Sequence, residues 1–255
     1  MKITVIGSGG AFDLQTNSSF LISQDDTMED SLLFDCGINV FAKLKKLGDK
    51  VIGSISNIYI SHLDDDHVGS LRTLVYYRHY VLGLHTNVYY PDNIALQDFI
   101  WSNGGSLNKK FSGGKLVKAD MIRLFKIPTQ MSHLQGAEIG DFTVLPVIGY
   151  HHVPVCGLYV ECGDSVCYIS GDTKAYAPIE HLVRELTYTK YKLDVFKTRD
   201  PRVMIFHDWS TYNDASVNGH ACLEDIEEHY SFDFIRAMNG YHNDINELED
   251  KVFQF

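Results

Sequence analysis

Four side chains able to hold a metal stand within six positions of one another in Ser61-His62-Leu63-Asp64-Asp65-Asp66-His67-Val68-Gly69. They are His62, Asp64, Asp66 and His67. Asn57-Ile58-Tyr59-Ile60, just before them, reads as a short buried strand. Asp66 and His67 open Val68-Gly69-Ser70-Leu71-Arg72-Thr73-Leu74-Val75, which reads as a helix. A strand-to-helix turn can aim imidazoles and carboxylates at a common point. One metal can take His62 and Asp64, and a second can take Asp66 and His67. Two cations a few ångströms apart clamp an in-line displacement at phosphorus. An acidic, solvated helix start accounts for the three aspartates, because Asp is favoured there. It does not account for a histidine on each side.

The elements that must position this turn are legible from pattern. Lys2–Gly7, Ser18–Ser23 and Ser31–Asp35 read as strands, and Val40–Leu47 as a short amphipathic helix ending at Gly48. The helix after His67 is expected to reach Tyr80. Thr86–Tyr90 reads as a strand, and Pro91, as a first-turn proline, is expected to start a helix through Trp101. Leu116–Phe125, Phe142–Val147, Leu158–Glu161 and Ser165–Ile169 read as strands. A helix near Ala177–Leu186, a strand at Val203–Phe206, a helix at His220–His229 and a strand at Phe234–Met238 follow. No internal repeat, low-complexity segment or linker interrupts the order, so residues 1–255 are expected to form one domain of α/β class.

With these residues in view, the chain resembles the metallo-β-lactamase superfamily, whose signature is His-x-His-x-Asp-His after a strand, and within it the ribonuclease Z-like phosphodiesterases. Met1-Lys2-Ile3-Thr4-Val5-Ile6-Gly7-Ser8-Gly9-Gly10-Ala11-Phe12 is similar to the opening strand and turn of that branch. Asn17-Ser18-Ser19-Phe20-Leu21-Ile22 and Leu32-Leu33-Phe34-Asp35-Cys36-Gly37 are similar to its next two strands. His151-His152-Val153-Pro154-Val155-Cys156-Gly157-Leu158 and Tyr168-Ile169-Ser170-Gly171-Asp172-Thr173 are similar to its later ligand motifs. The likeness runs in order to about His242 and implies a four-layer αββα sandwich. It also implies a site. His62, Asp64 and His151 would hold one metal, Asp66, His67 and His242 the other, and Asp172 would bridge both. His151 is favoured over His152 because it sits six residues before Gly157. His220 would be the general acid, with Asp208 orienting it; His207 is read as structural. The expected nucleophile is a metal-bound hydroxide.

The chain departs from the family at Asp64, where the family has histidine. A charged, harder oxygen at that place makes manganese, iron or magnesium more plausible beside zinc. Two divalent metal ions are the expected cofactors.

The formal net charge of −11 bears on the substrate. Proteins that grip nucleic acid carry a basic stripe that releases counterions. Here Lys43, Lys45, Lys46 and Lys50, and Lys109, Lys110, Lys115 and Lys118, are the local basic clusters, and both read as solvated faces. The basic arm of tRNA-maturing relatives has no clear counterpart; Ser102–Lys118 comes nearest and reads as a loop into a strand. The chain is closer in character to armless phage and bacterial members that hydrolyse cyclic nucleotides, among them those that oppose cyclic-pyrimidine signalling. Three readings stay open: a phosphodiesterase acting on a small nucleotide, an RNA-processing endonuclease of the ribonuclease Z type, and an inactive nucleotide-sequestering protein. A large nucleic acid is the less expected partner, and a homodimer is the expected assembly. Met1-Lys2 leads straight into a strand, and no apolar run approaches the ~20 residues of a membrane helix, so no signal peptide and a cytoplasmic setting are expected. Five cysteines without a Cys-x-x-Cys suit free thiols in a reducing cytosol.

Overall fold

Short apolar strands that return on themselves open the chain. In a computed structural model, β1 (Lys2–Gly7), β2 (Ser19–Ser23) and β3 (Ser31–Phe34) form an antiparallel meander. β4 (Ile55–Tyr59), β5 (Thr86–Pro91) and β8 (Ile122–Ile127) then add in parallel, giving the order β1-β2-β3-β4-β5-β8. Parallel neighbours require crossovers. α1 (Val40–Leu47) and α2 (Asp49–Ser54) lead into β4, and α3 (Asp65–Val68) and α4 (Leu71–Tyr80) lead into β5. α5 (Leu96–Ser102) and a hairpin of β6 (Lys109–Ser112) and β7 (Lys115–Lys118) lead into β8. The structure describes residues 1–12, 16–102, 107, 109–118, 120–129, 136–174, 181, 185, 203–209, 219–222, 226 and 238–241.

These elements belong to one compact unit, Lys2–Pro128. Its core joins strand residues Ile6, Leu33, Ile58 and Val88 to helix residues Leu44 and Leu74. Arg78 of α4 is buried there. Its guanidinium donates to Ile52 O, to Gly53 O (3.2 Å), to His85 O (3.1 Å) and to Thr86 Oγ1 (3.0 Å). It thereby ties the last carbonyls of α2 to α4 and to the start of β5.

The second unit, Thr129–Phe255, repeats the scheme. β9 (Ala137–Ile139), β10 (Phe142–Ile148), β11 (Cys156–Cys162) and β12 (Ser165–Ile169) run antiparallel. β13 (Val203–Asp208) and β14 (Met238–Tyr241) then add in parallel, in the order β14-β13-β12-β11-β10-β9. Phe142, Val144, Leu158, Val160, Cys167, Ile169 and Ile205 are its buried apolar residues of note.

Several expectations shift. The helix expected from His67 to Tyr80 is broken at Gly69-Ser70, because Ser70 turns its N–H to Cys36 O (3.0 Å) and its hydroxyl to Gly37 O (2.5 Å). Pro91 ends β5 instead of starting a helix, and α5 begins only at Leu96. The strand expected over Leu116–Phe125 is two strands. Gly113 and Gly114, both at positive φ, make the two-residue turn of the β6–β7 hairpin, and Asp120 lies between β7 and β8. α2, β6 and β9 were not anticipated. The helix expected near Ala177–Leu186 lies almost wholly outside the described residues. Of the one expected over His220–His229, Ile226 N–H donates to Cys222 O at 3.1 Å, an i→i−4 bond, and most of the remainder lies outside them. β14 begins at Met238, where a strand was expected to end.

Candidate functional site

The turn after β4 collects the first half of the site. Cys36 N–H donates to His67 O (2.7 Å) and Ile38 N–H to Asp65 O (3.2 Å), so the segment after β3 runs alongside the turn. Gly37 allows this approach, since a Cβ there would lie 1.8 Å from Asp66 O. His62, Asp66 and His67 are buried, while the Asp64 side chain keeps partial exposure. The two imidazoles lie 4.1 Å apart, tilted by 40°. Asp64 Oδ2 is 3.7 Å from His62 Nε2, and Asp66 Oδ2 is 3.4 Å from His67 Nε2.

The other ring nitrogens are held from behind. Asp35, fully buried at the end of β3, reaches His67 Nδ1 with Oδ2 at 2.7 Å. The Ser61 N–H donates to Asp35 Oδ1 (2.8 Å), and the Ser61 hydroxyl donates to Oδ2 (2.7 Å) and sits 2.9 Å from His62 Nδ1. Burial pushes the Asp35 carboxyl above the usual carboxylate range, and the neighbouring His67 and the Ser61 hydrogen bonds pull against it. Asp35 is one of the few non-glycine residues at positive φ, 58°. A carboxylate behind an imidazole fixes its tautomer, leaving Nε2 as the ligand nitrogen. Two imidazoles so fixed, with carboxylate oxygens beside them, are a donor set that suits a divalent cation.

The second half lies at the ends of β12 and β13. β12 runs into Ser170-Gly171-Asp172-Thr173, with Gly171 at φ 64°. Asp172 and Asp208 are buried. Asp208 Oδ2 accepts the Thr173 N–H (2.9 Å) and lies 2.8 Å from His220 Nδ1, while the Asp208 N–H donates to Ser170 Oγ (2.8 Å). His220 Nδ1 is also 3.8 Å from Asp172 Oδ2. Asp172, Asp208 and His220 thus converge. His151 is half-buried, with its ring 5.0 Å from that of His220 and its Nδ1 3.3 Å from Gly219 O; His152 is exposed. His207 is buried with Nδ1 2.7 Å from Asp208 O, and burial draws its pKa below the ordinary value.

Each unit therefore gathers its own share of the expected residues: His62, Asp64, Asp66 and His67 in one, His151, Asp172, Asp208 and His220 in the other. His242 lies outside the described residues. Asp35, Ser61 and Thr173 are supporting residues that pattern reading did not pick out. The signal for Asp35 was its place at the end of the apolar run Leu32-Leu33-Phe34.

The chain matches the family described as Anti-Pycsar protein Apyc1 over residues 1–252. It is 31% identical over 192 residues to the Anti-Pycsar protein Apyc1 of Paenibacillus sp. (strain J14), covering 72% of each chain. It is 24% identical over 233 residues to the protein of that name from Bacillus phage vB_BsuM-Goe3, covering 88% of this chain and 81% of that one. Among solved structures it is similar to human tRNase Z, short form (TM-score 0.67, 20% identity, 95% of this chain and 92% of that one). It is also similar to the metallo-beta-lactamase fold protein YhfI from Bacillus subtilis (TM-score 0.66, 17% identity, 94% and 85%). The α/β class and the metallo-β-lactamase fold expected from sequence are borne out. So is a metal-dependent phosphodiester hydrolase.

Proposed function

The chain belongs to the anti-Pycsar Apyc1 family, and from that membership we propose that it hydrolyses a small nucleotide phosphodiester, a cyclic nucleotide above all. The observation that carries this reading is the buried Asp208 carboxylate 2.8 Å from His220 Nδ1, with the Asp172 carboxylate 3.8 Å from the same nitrogen. That is a proton donor held in one orientation beside a metal-type ligand. The net charge of −11 favours a substrate with few phosphates.

In this reading His62, Asp64 and His151 would hold one cation and Asp66, His67 and His242 a second, with Asp172 available to both. When bound, the cations supply charge neutralisation at the phosphoryl oxygens and an activated water. The protein's own groups do the rest. Asp35 and Ser61 hold the His67 and His62 rings so that Nε2 faces the ligand. Asp208 holds the His220 Nδ1 proton, and His220 Nε2 delivers a proton to the departing alkoxide oxygen, which leaves poorly without one. Zinc is the leading metal, and the Asp64 oxygen widens the choice to manganese, iron or magnesium. A homodimer and a cytoplasmic setting complete the reading. None of the five cysteines is in a disulfide, which suits a reducing compartment. No helix among the described residues is long and apolar enough to cross a membrane.

The four lysines of the β6–β7 hairpin favour a second reading, an RNA-processing endonuclease. One screen separates the two. Metal-loaded protein is assayed on cyclic mononucleotides, cyclic dinucleotides, an aryl phosphodiester and precursor tRNA at rising salt. Turnover of a cyclic nucleotide with little salt dependence is expected. Efficient, steeply salt-sensitive cleavage of precursor tRNA with no activity on small phosphodiesters would overturn the proposal.

A further inference from the structure

Asn17 is buried, and its side chain joins two loops of the first unit. Its Nδ2 donates to Gly10 O (3.0 Å), and its Oδ1 accepts the Asn39 N–H (3.0 Å). The loop of Gly9-Gly10-Ala11-Phe12 is further pinned by Ser18, whose N–H and hydroxyl both reach Gly9 O (2.8 and 3.0 Å). The other loop, Gly37-Ile38-Asn39, lies on the ligand turn through the Ile38 N–H to Asp65 O bond. Each loop is held from within and presents one large apolar side chain outward. Phe12 is 82% exposed and Ile38 54% exposed.

Single exposed apolar residues are ordinary. These two are set apart by position. They stand on loops tied to one buried side chain, and one of them is bonded directly to the turn that carries His62, Asp64, Asp66 and His67. A nucleotide whose phosphodiester is held at that turn must place its base a few ångströms away. A base stacks on any flat apolar face, and such contact needs no positive charge. In an acidic chain this is a way to hold a nucleotide that does not depend on ion pairs. We propose that Phe12 and Ile38 form the platform for the base of the nucleotide, with Phe12 as the stacking residue. This rests on the phosphodiesterase reading given above.

The test measures binding rather than turnover. Metal-loaded wild type, Phe12→Ala, Ile38→Ala and Phe12→Trp are titrated calorimetrically with the four ribonucleoside 5′-monophosphates and with ribose 5-phosphate, which has the phosphate and sugar but no base. Phe12→Ala is expected to weaken the nucleoside monophosphates by about fivefold or more and Ile38→Ala by less, with ribose 5-phosphate unchanged and Phe12→Trp restoring affinity. Equal weakening of both ligand classes, no weakening of either, or wild type that binds ribose 5-phosphate as tightly as the nucleotides would overturn the platform. Base-dependent binding through Phe12 in a protein that hydrolyses no cyclic nucleotide would leave the platform standing and sink the activity reading instead.

Discussion

The His67 imidazole and the Asp35 carboxylate meet at 2.7 Å across 32 residues of sequence, both closed off from solvent. Parallel pairing of β3 with β4, with Phe34 opposite Tyr59, brings the two strand ends side by side. Asp35 N–H donates to Tyr59 O (2.8 Å), and the carboxylate is then in reach of the turn.

Asp35→Ala should therefore weaken divalent metal binding roughly 10–100-fold, the usual cost of losing a residue that orients a ligand. Competition titration against a chromophoric chelator reads this directly, with circular dichroism confirming that the variant folds. Unchanged affinity in a folded variant would rule out the orienting role.

Asp64→His should move metal preference toward zinc, because it exchanges a hard oxygen for an imidazole nitrogen. The ratio of zinc to manganese affinities is the measurement. An equal ratio in wild type and variant would mean that Asp64 is not a ligand.

His220→Ala should lower turnover roughly 10²–10⁴-fold, the range for a lost general acid, with metal content preserved. Asp208→Asn should cost less, since it loosens His220 without removing it. Metal analysis beside the kinetics is decisive: metal lost in step with activity would recast His220 as a ligand.

The sequence carried the local part of this site better than the assembled part. His62 to His67 could be read directly, because a histidine on each side of an acidic turn has no simpler cause. Asp172 and Asp208 could be placed because each ends or follows an apolar strand. Asp35 was not assigned a role, because it depends on a strand pairing that no local pattern encodes. Pro91 was misread because a proline begins a helix as readily as it ends a strand. Here it pairs with Ile127 on one side and lies beyond the registered pairing with β4 on the other, so its missing N–H costs nothing. β7 was merged with β8 because Asp120 is a weak break between two apolar runs, and β6 was read as loop. Cys162 and Cys167 flank the β11–β12 turn, yet the register sets Cys162 opposite Ser165 and Cys167 opposite Val160 and so keeps them apart.

Stability should fall as the pH drops below about 6.5, the ordinary histidine value. His207 is buried and its folded pKa is depressed by that burial. Below the unfolded value the unfolded chain gains a proton that the native chain does not, so acid favours unfolding until the folded pKa is passed. His207→Asn, which can keep a donor near Asp208 O, should lose less stability than wild type between pH 7.5 and 5.5. Urea titrations at the two pH values test it, and equal losses would exclude His207 as a source.

Thiol labelling of the native protein at pH 8 should reach Cys162 and Cys222 well before Cys36, Cys156 and Cys167, the three buried thiols. Burial pushes Cys36 up to about 12 and Cys167 higher still, which starves both of thiolate. Peptide mass spectrometry after brief alkylation gives the order, and early modification of Cys36 would contradict it.

Arg78 spends its charge on three carbonyl groups and a hydroxyl, with no carboxylate among its described partners. Ion pairs fail in acid because their carboxylates take up protons. This brace has nothing to protonate, so acid cannot unlatch it. Only alkali works against it, because burial has drawn the guanidinium down to about 10. The join between α2, α4 and β5 is thus indifferent to the acidity that works against the buried His207.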